Sequence, residues 1–332
     1  MFRKKIVTFG GGTGHFYLLD GLKHYNNPSL ITAIVGSWDS GGSSGRLRSE
    51  LGVLPPGDIR RCILALMEDS NQQRVAQRLF NDRLDDLEGM LKGHSFGNFI
   101  GARLDHMFRG QDRGTDAQRA LFRIRAKIIP ACLTDLKLIA VTEKGINIEG
   151  EADIDHRCKR PDFDPDDKIA RIYFQTRADA NPRVLDAIKH ADKIIFSPGD
   201  LFTSILPHLL VDGVKEALCA SKARIYFILN IMTKPGETDG FTASNFLEKI
   251  VFYLGDKNRL DYVIVNNMRI NSEISSIYRA EGQELVRFDE ERCRSVVPKA
   301  KIVKAKLMKY LAKEHLLRHD SERLANTVLN LK

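Results

Sequence analysis

Cysteine is scarce and scattered. Cys62, Cys132, Cys158, Cys219 and Cys293 are the only five in 332 residues, and no two form a CxxC pair or a Cys/His cluster. That spacing excludes a thiolate zinc site and fits a reducing compartment better than a disulfide scaffold. Long apolar runs are missing as well. No stretch approaches the roughly 20 residues of a membrane-spanning helix. The apolar run behind the basic start Met1-Phe2-Arg3-Lys4-Lys5 stops at glycines after four residues, which is not the pattern of a secretory leader. The chain therefore reads as cytoplasmic, with no membrane span. There is no repeat period, heptad array or low-complexity tract. Nor is there a concentrated basic tract: the net charge of +8 is spread along the chain. Nucleic acid is not the expected partner, and small anionic ligands account for the balance equally well.

Glycine is plentiful where it matters. Residues 36–62, GSWDSGGSSGRLRSELGVLPPGDIRRC, hold glycines, serines, three acidic positions (Asp39, Glu50, Asp58) and four arginines. Gly41, Gly42, Ser43 and Ser44, with Arg46 beside them, offer backbone N–H groups, hydroxyls and a guanidinium, a combination suited to phosphate oxygens. The run reads as a ligand loop because it follows an apolar strand, Leu30 to Val35.

Two similar junctions flank this stretch. Lys5 to Phe9 reads as a buried strand that runs into Gly10-Gly11-Gly12-Thr13-Gly14 and then a helix carrying Leu18, Leu19 and Leu22. Strand, glycine turn and helix open many nucleotide-binding α/β folds, with phosphate at the helix N-terminus. The dinucleotide fingerprint would need glycine where His15 stands, and a P-loop would need a Gly-Lys-Ser/Thr ending, which is absent. The strand Lys193 to Phe196 likewise ends in Ser197-Pro198-Gly199-Asp200, followed by Thr203. Arg224 to Leu229 is a buried strand ending in Asn230, with Lys234 four residues on, and Tyr262 to Val265 is a short strand ending in Asn266-Asn267. Open parallel sheets bind ligands beyond the carboxyl ends of their strands.

Between these junctions, residues 59–92 read as helical, with Asp58 as the N-cap. Gly93-His94-Ser95-Phe96-Gly97-Asn98 is a second glycine-bounded turn at a helix entrance, so His94 and Asn98 are candidate ligand contacts. A helix over about 116–125 follows, then strands from Ile128 and a hairpin around Glu143-Lys144-Gly145. Residues 151–168 read as a loop or bulky insertion. The alternation predicts an α/β fold: a Rossmann-like three-layer α/β/α sandwich with a mainly parallel central sheet. One domain over 1–332 is expected, with a largely helical insertion around 59–125.

The segments GGGTG (10–14), GGSSGRLRSELGVLPPGDIR (41–60), HSFGN (94–98), SPGDLFTSILPHLLV (197–211), NIMTKPGET (230–238), VNN (265–267) and RHD (318–320) resemble the YvcK, or gluconeogenesis factor, family. That family is related to the 2-phospho-L-lactate transferase CofD. The resemblance covers nearly the whole chain. It implies a Rossmann-like sandwich that binds a UDP-sugar, notably UDP-N-acetylglucosamine. It also implies support of cell shape and cell-wall precursor supply on gluconeogenic carbon sources. CofD-type relatives instead transfer phospholactate with magnesium. The chain has Asp39-Ser40 where the family usually has paired aspartates, and Asp200 where serine is frequent.

The expected occupant is a nucleotide or nucleotide-sugar. The 10–14 turn and the Gly41–Arg46 loop would hold its diphosphate, and Asp39 the ribose hydroxyls or a magnesium ion. Thr203, Asn230 and Lys234 would line neighbouring strand ends. By resemblance, Tyr278 and Arg318 would lie at the sugar-nucleotide site. No catalytic residue is assigned. Magnesium is the one candidate cofactor, with Asp39 and Asp200 as candidate ligands; a homodimer is compatible with the reading. The alternatives are a CofD-like magnesium-dependent phospholactyl or phosphoryl transferase, with Asp39, Asp58 and Asp200 as its carboxylates, and NAD(P) binding.

Overall fold

The structure, a computed structural model, describes residues 3–311 and 314–331. Met1 and Phe2 of the basic start lie outside the described residues. In chain order the strands are β1 (Ile6–Gly10), β2 (Ile31–Val35), β3 (Lys127–Pro130), β4 (Leu138–Thr142), β5 (Asn147–Glu149), β6 (Ile169–Phe174), β7 (Lys193–Phe196), β8 (Arg224–Ile228), β9 (Tyr262–Asn266), β10 (Lys301–Ala305), β11 (Met308–Leu311) and β12 (Leu316–His319). The helices are α1 (Gly12–Tyr25), α2 (Gly42–Leu51), α3 (Gly57–Leu66), α4 (Ser70–Asn81), α5 (Phe96–Met107), α6 (Gln111–Leu121), α7 (Glu151–Asp155), α8 (Pro182–Lys189), α9 (Val214–Ala220), α10 (Ala243–Leu254), α11 (Ser272–Ala280), α12 (Glu290–Val296) and α13 (Ser321–Asn330).

β1 and β2 are apolar but for Thr8 and Thr32 and buried at every position, as strands covered on both faces must be. They belong to a seven-stranded sheet of order β10-β9-β8-β7-β1-β2-β3, and every pairing in it is parallel. Alternate side chains of each strand reach opposite faces. Val7 and Phe9 of β1 join one core, with Phe227 of β8 and the apolar faces of α8, α9 and α10. Ile6 joins the other, with Tyr226 and Ile228 and residues of α1, α3 and α13. The result is the expected three-layer α/β/α arrangement.

Two small sheets are added. β5-β4-β6 is antiparallel and shares the first core, and β11 and β12 form a hairpin. Among the described residues, no helix is long and apolar enough to cross a membrane.

The helical stretch between β2 and β3 differs in detail from the sequence reading. Helicity over 59–92 breaks twice, at the Met67–Asp69 connection between α3 and α4 and after Asn81. The helix expected over about 116–125 is α6 and starts at Gln111, behind Gly110 at φ 138°. The 151–168 segment opens with the short helix α7 rather than being wholly loop.

The sheet order reverses beside β1: the chain leaves β1 for β2 on one side, and β7 pairs on the other. Such a switch point opens a crevice beyond the carboxyl ends of the strands. The backbones of the β1 and β7 turns are in close contact there. A Cβ on Gly14 would come within 2.1 Å of the Pro198 carbonyl oxygen, so only glycine permits the approach.

Candidate functional site

The helix that follows β1 carries its own anion. The Gly12 amide donates to Oδ1 of Asp58 at 2.9 Å, and Arg61 pairs with the same oxygen at 3.0 Å. Asp58 was expected to cap its own helix. α3 starts two residues earlier than expected, at Gly57 behind Pro56, so Asp58 falls within its first turn and caps α1 instead.

The Gly41–Arg46 stretch is not a loop. It is the first turn and a half of α2, with Gly41 extended at the N-cap and its amide donating to Oδ1 of Asp39 at 2.8 Å. Ser43 and Ser44 are buried and tied to the α5 entrance. Ser43 Oγ lies 3.1 Å from His94 Nδ1 and accepts the Ser95 amide, while Asn98 Nδ2 donates to Ser44 Oγ at 3.3 Å. His94 is thus a buried support for α2, with Nε2 3.4 Å from Glu50, and it faces neither cavity described below. Arg46 also departs from expectation. It is exposed on the far side of α2, where Nη1 donates to the Lys92 carbonyl at 2.9 Å.

α7 brings residues that the sequence reading did not single out. The Ser40 amide donates to Oε2 of Glu151 at 3.2 Å, and the Ser40 hydroxyl accepts the Ala152 amide at 2.9 Å. Glu151 thereby joins Asp39 and Asp58. Burial, then the charge of Asp39, pushes the Glu151 carboxyl up to about 9, and burial, then Asp58, raises that of Asp39. Burial works against the charge on Arg61, but Asp58 and Asp39 hold its pKa above the ordinary range.

At the ends of β7 and β8 the cation is Lys234. Its ammonium bonds Asp155 and lies 2.7 Å from Asp200 and 3.5 Å from Glu237. Glu237 is fully buried. It accepts the Phe202 amide at 3.0 Å and the Thr203 hydroxyl at 3.1 Å, fixing the π-helical turn of residues 201–205. Asn230 exchanges hydrogen bonds with Gly199 in both directions, at 3.3 and 2.8 Å, locking the two turns together.

These groups line two adjoining cavities of about 430 and 470 Å³ that share Thr13, Asp155, His156 and Asp200. The first is strongly polar. Of the expected residues it gathers Gly12, Asp39, Gly41, Gly42, Ser43, Ser44, Asp58, Asn98 and Thr203, together with Arg60, Arg61 and Arg83. The second has a more apolar wall. It takes in Gly14, Gly199, Asn230, Lys234, Tyr278 and Arg318, with Tyr17 and Met232 beside them. Gly10 and Gly11 supply the turn itself: Gly10 ends β1 and Gly11 is the N-cap of α1. Tyr278 is almost fully buried, and its hydroxyl accepts the Leu317 amide at 2.5 Å, which ties α11 to the hairpin carrying Arg318.

Hard oxygen donors for a cation exist on both sides of this junction. Asp155, Asp200 and Glu237 bring carboxylate oxygens within 4.8 Å of one another, but the Lys234 ammonium already meets all three. On the other side stand Asp39, Asp58 and Glu151, but Oδ1 of Asp39 accepts the Gly41 amide, Oδ1 of Asp58 is taken by the Gly12 amide and Arg61, and Oε2 of Glu151 accepts the Ser40 amide.

Arg60 and Arg61 were visible in the 36–62 stretch as two of its arginines. Glu151, Asp155 and His156 gave no comparable signal, because they reach the site only through the packing of the small sheet against the large one.

The family model described as 2-phospho-L-lactate transferase CofD matches residues 6–308. The gluconeogenesis factor of Halalkalibacterium halodurans is 37% identical over 336 residues, covering 100% of this chain and 98% of that protein. The gluconeogenesis factor of Bacillus subtilis is 35% identical over 330 residues, covering 99% and 98%. A crystal structure of a Bacillus halodurans protein superimposes with a TM-score of 0.90 at 34% identity, covering 99% of this chain and 100% of that one.

Proposed function

The chain belongs to the CofD family, with gluconeogenesis factors among its whole-length relatives, and from that premise we propose that it binds a UDP-sugar, UDP-N-acetylglucosamine or a close analogue. The observation that carries the reading is the pairing of an apolar-walled cavity with a polar one across the N-terminus of α1. The base and sugar occupy the cavity walled by Tyr17, Met232 and Tyr278. The diphosphate lies along the Gly12–Gly14 turn, with Arg318 as a guanidinium fork and Lys234 as a second cation. The protein then acts in the cytoplasm as a sugar-nucleotide-responsive gluconeogenesis factor that supports cell shape and cell-wall precursor supply.

A CofD-like transfer reaction is the second reading, and the group of Asp39, Asp58 and Glu151 favours it. These carboxylates would hold magnesium, which would supply charge neutralisation for a phosphoryl group. Isothermal titration with UDP-N-acetylglucosamine, UDP-glucose, GDP and NADPH, each with and without magnesium, separates the readings. Tighter binding of UDP-N-acetylglucosamine than of GDP is the expected result. The reverse order puts the transferase first.

A further inference from the structure

Arg60 is a buried cation with no carboxylate of its own. Its residue is 8% exposed, and Nη1 donates to the Phe80 carbonyl, to Asn81 Oδ1 and to Ser95 Oγ, all neutral acceptors. Its Nε is buried without a partner, and no ion pair reaches the guanidinium among the described residues, in contrast to its neighbour Arg61 on Asp58. Burial, then the charges of Arg61 and Arg83, lowers its pKa to about 10. A guanidinium left in this state is costly unless an anion completes it.

Lining the same cavity is the N-terminus of α2, a ten-residue helix. Asp39 takes the Gly41 amide at the N-cap; the amides of the first turn behind it have no intrahelical acceptor and carry the positive end of the helix dipole. The space at this end is open: a Cβ placed on Gly42 would meet nothing within 4 Å. Exposed Arg83 borders the cavity too. Asp155 and Asp200 line the junction with the second cavity, so a continuous phosphate chain running from Arg318 to Arg60 would pass two carboxylates.

We propose that Arg60, Arg83 and the N-terminus of α2 form a separate subsite for a small oxyanion, a phosphomonoester or a carboxylate, bound beside the nucleotide-sugar and not as part of its diphosphate. The protein would then form a ternary complex with two acidic ligands. The identity of the neighbouring ligand rests on the function proposed above; the oxyanion subsite does not.

The test is isothermal titration of inorganic phosphate into the full chain, free and saturated with UDP-N-acetylglucosamine. Phosphate is expected to bind both forms with dissociation constants within about threefold of each other. Arg83→Glu, at an exposed position that tolerates substitution, should weaken phosphate about tenfold while leaving UDP-N-acetylglucosamine within about twofold. Arg60→Lys should also weaken phosphate, because it keeps the charge but loses the fork. Competition by glycerol 3-phosphate identifies a phosphomonoester site and competition by acetate a carboxylate site; competition by neither means an adventitious ion only and overturns the proposal. Displacement of phosphate by UDP-N-acetylglucosamine, or unchanged phosphate affinity in Arg83→Glu, overturns it as well. If UDP-N-acetylglucosamine fails to bind the wild type, the nucleotide reading falls, while the phosphate titration of the free protein still decides the subsite.

Discussion

Asp58 reaches back 46 positions to cap the first helix of the chain, its Oδ1 accepting the Gly12 amide proton at 2.9 Å. A carboxylate therefore stands at the helix end where an incoming phosphate would be drawn. Asp58→Asn keeps an acceptor for Gly12 and removes the charge. In EDTA, UDP-N-acetylglucosamine should bind this variant about three- to tenfold more tightly, since a nearby like charge at an effective dielectric near 20 is worth about 1 kcal/mol or more. Calorimetry reads this directly. Asp58→Ala leaves the Gly12 amide uncapped and should cost about 1 kcal/mol of stability.

Magnesium should matter little for nucleotide-sugar binding. Lys234 neutralises the Asp155–Asp200–Glu237 group, and Asp58 is engaged by Arg61. EDTA is expected to change the dissociation constant by less than about tenfold, or 1.4 kcal/mol. A larger loss would favour the transferase.

Glu151 makes stability fall with rising pH. Its carboxyl is raised from the ordinary 4.5 to about 9, chiefly by burial and then by Asp39. Between those values the folded chain keeps a proton that the unfolded chain has released, so the contribution is whole below 4.5 and lost as pH climbs to 9. The slope is at most about 1.4 kcal/mol per pH unit for one proton. Glu151→Gln should flatten it, so that the thermal midpoint of the variant gains on the wild type from pH 6 to 9. Ionisation of Glu151 also adds negative charge to the polar cavity, so anion affinity should fall over the same range in the wild type and less in the variant.

Gly12 and Gly14 should respond differently to substitution. A Cβ on Gly14 would collide with the Pro198 backbone, so Gly14→Ala should lose about 1–3 kcal/mol by denaturant melt. At Gly12 a Cβ meets nothing within 4 Å, but φ is +65°. Gly12→Ala should therefore cost only about 1 kcal/mol of backbone strain. Gly12→Val places its bulk in the proposed phosphate space; it should abolish nucleotide binding with a near-native circular dichroism spectrum.

Arg318→Ala should weaken UDP-N-acetylglucosamine about ten- to a hundredfold, the loss of one charge-assisted contact worth about 1.5–3 kcal/mol. Lysine should restore only part. Tyr278→Phe removes the acceptor of the Leu317 amide beside Arg318. It should weaken the same ligand less, through a loosened hairpin, and titration of the two variants side by side gives the order.

The layered α/β fold was legible because its strands are short apolar runs that end in glycine turns. Period, length and turn chemistry are local properties, so a sequence carries them openly. The turns at 10–14, 36–46 and 197–204 do meet at one crevice. The resemblance carried by the 41–60 and 230–238 segments led to the family that the comparisons show.

Arg46 and His94 were misread because spacing along the chain does not say which way a helix faces. Once 41–46 is the start of α2, Ser43 and Ser44 turn toward α5 and Arg46 turns to the outside. The partner of Asp39 was hidden for a different reason. Ser40 follows it in the chain and is no acid, yet the Ser40 amide and hydroxyl dock α7 and bring Glu151 to the same place.

By itself, then, the sequence determined the strands, the glycine turns that meet at the crevice, and the family, all of which depend on neighbours a few residues apart. Tertiary structure alone decided which groups face one another: Asp58 on Gly12, Glu151 beside Asp39, Lys234 between Asp155 and Asp200, and Arg60 in no ion pair among the described residues. Electrostatic energy depends on separation in space and on burial, and both are set by the packing of elements that lie 30 to more than 100 residues apart in this chain.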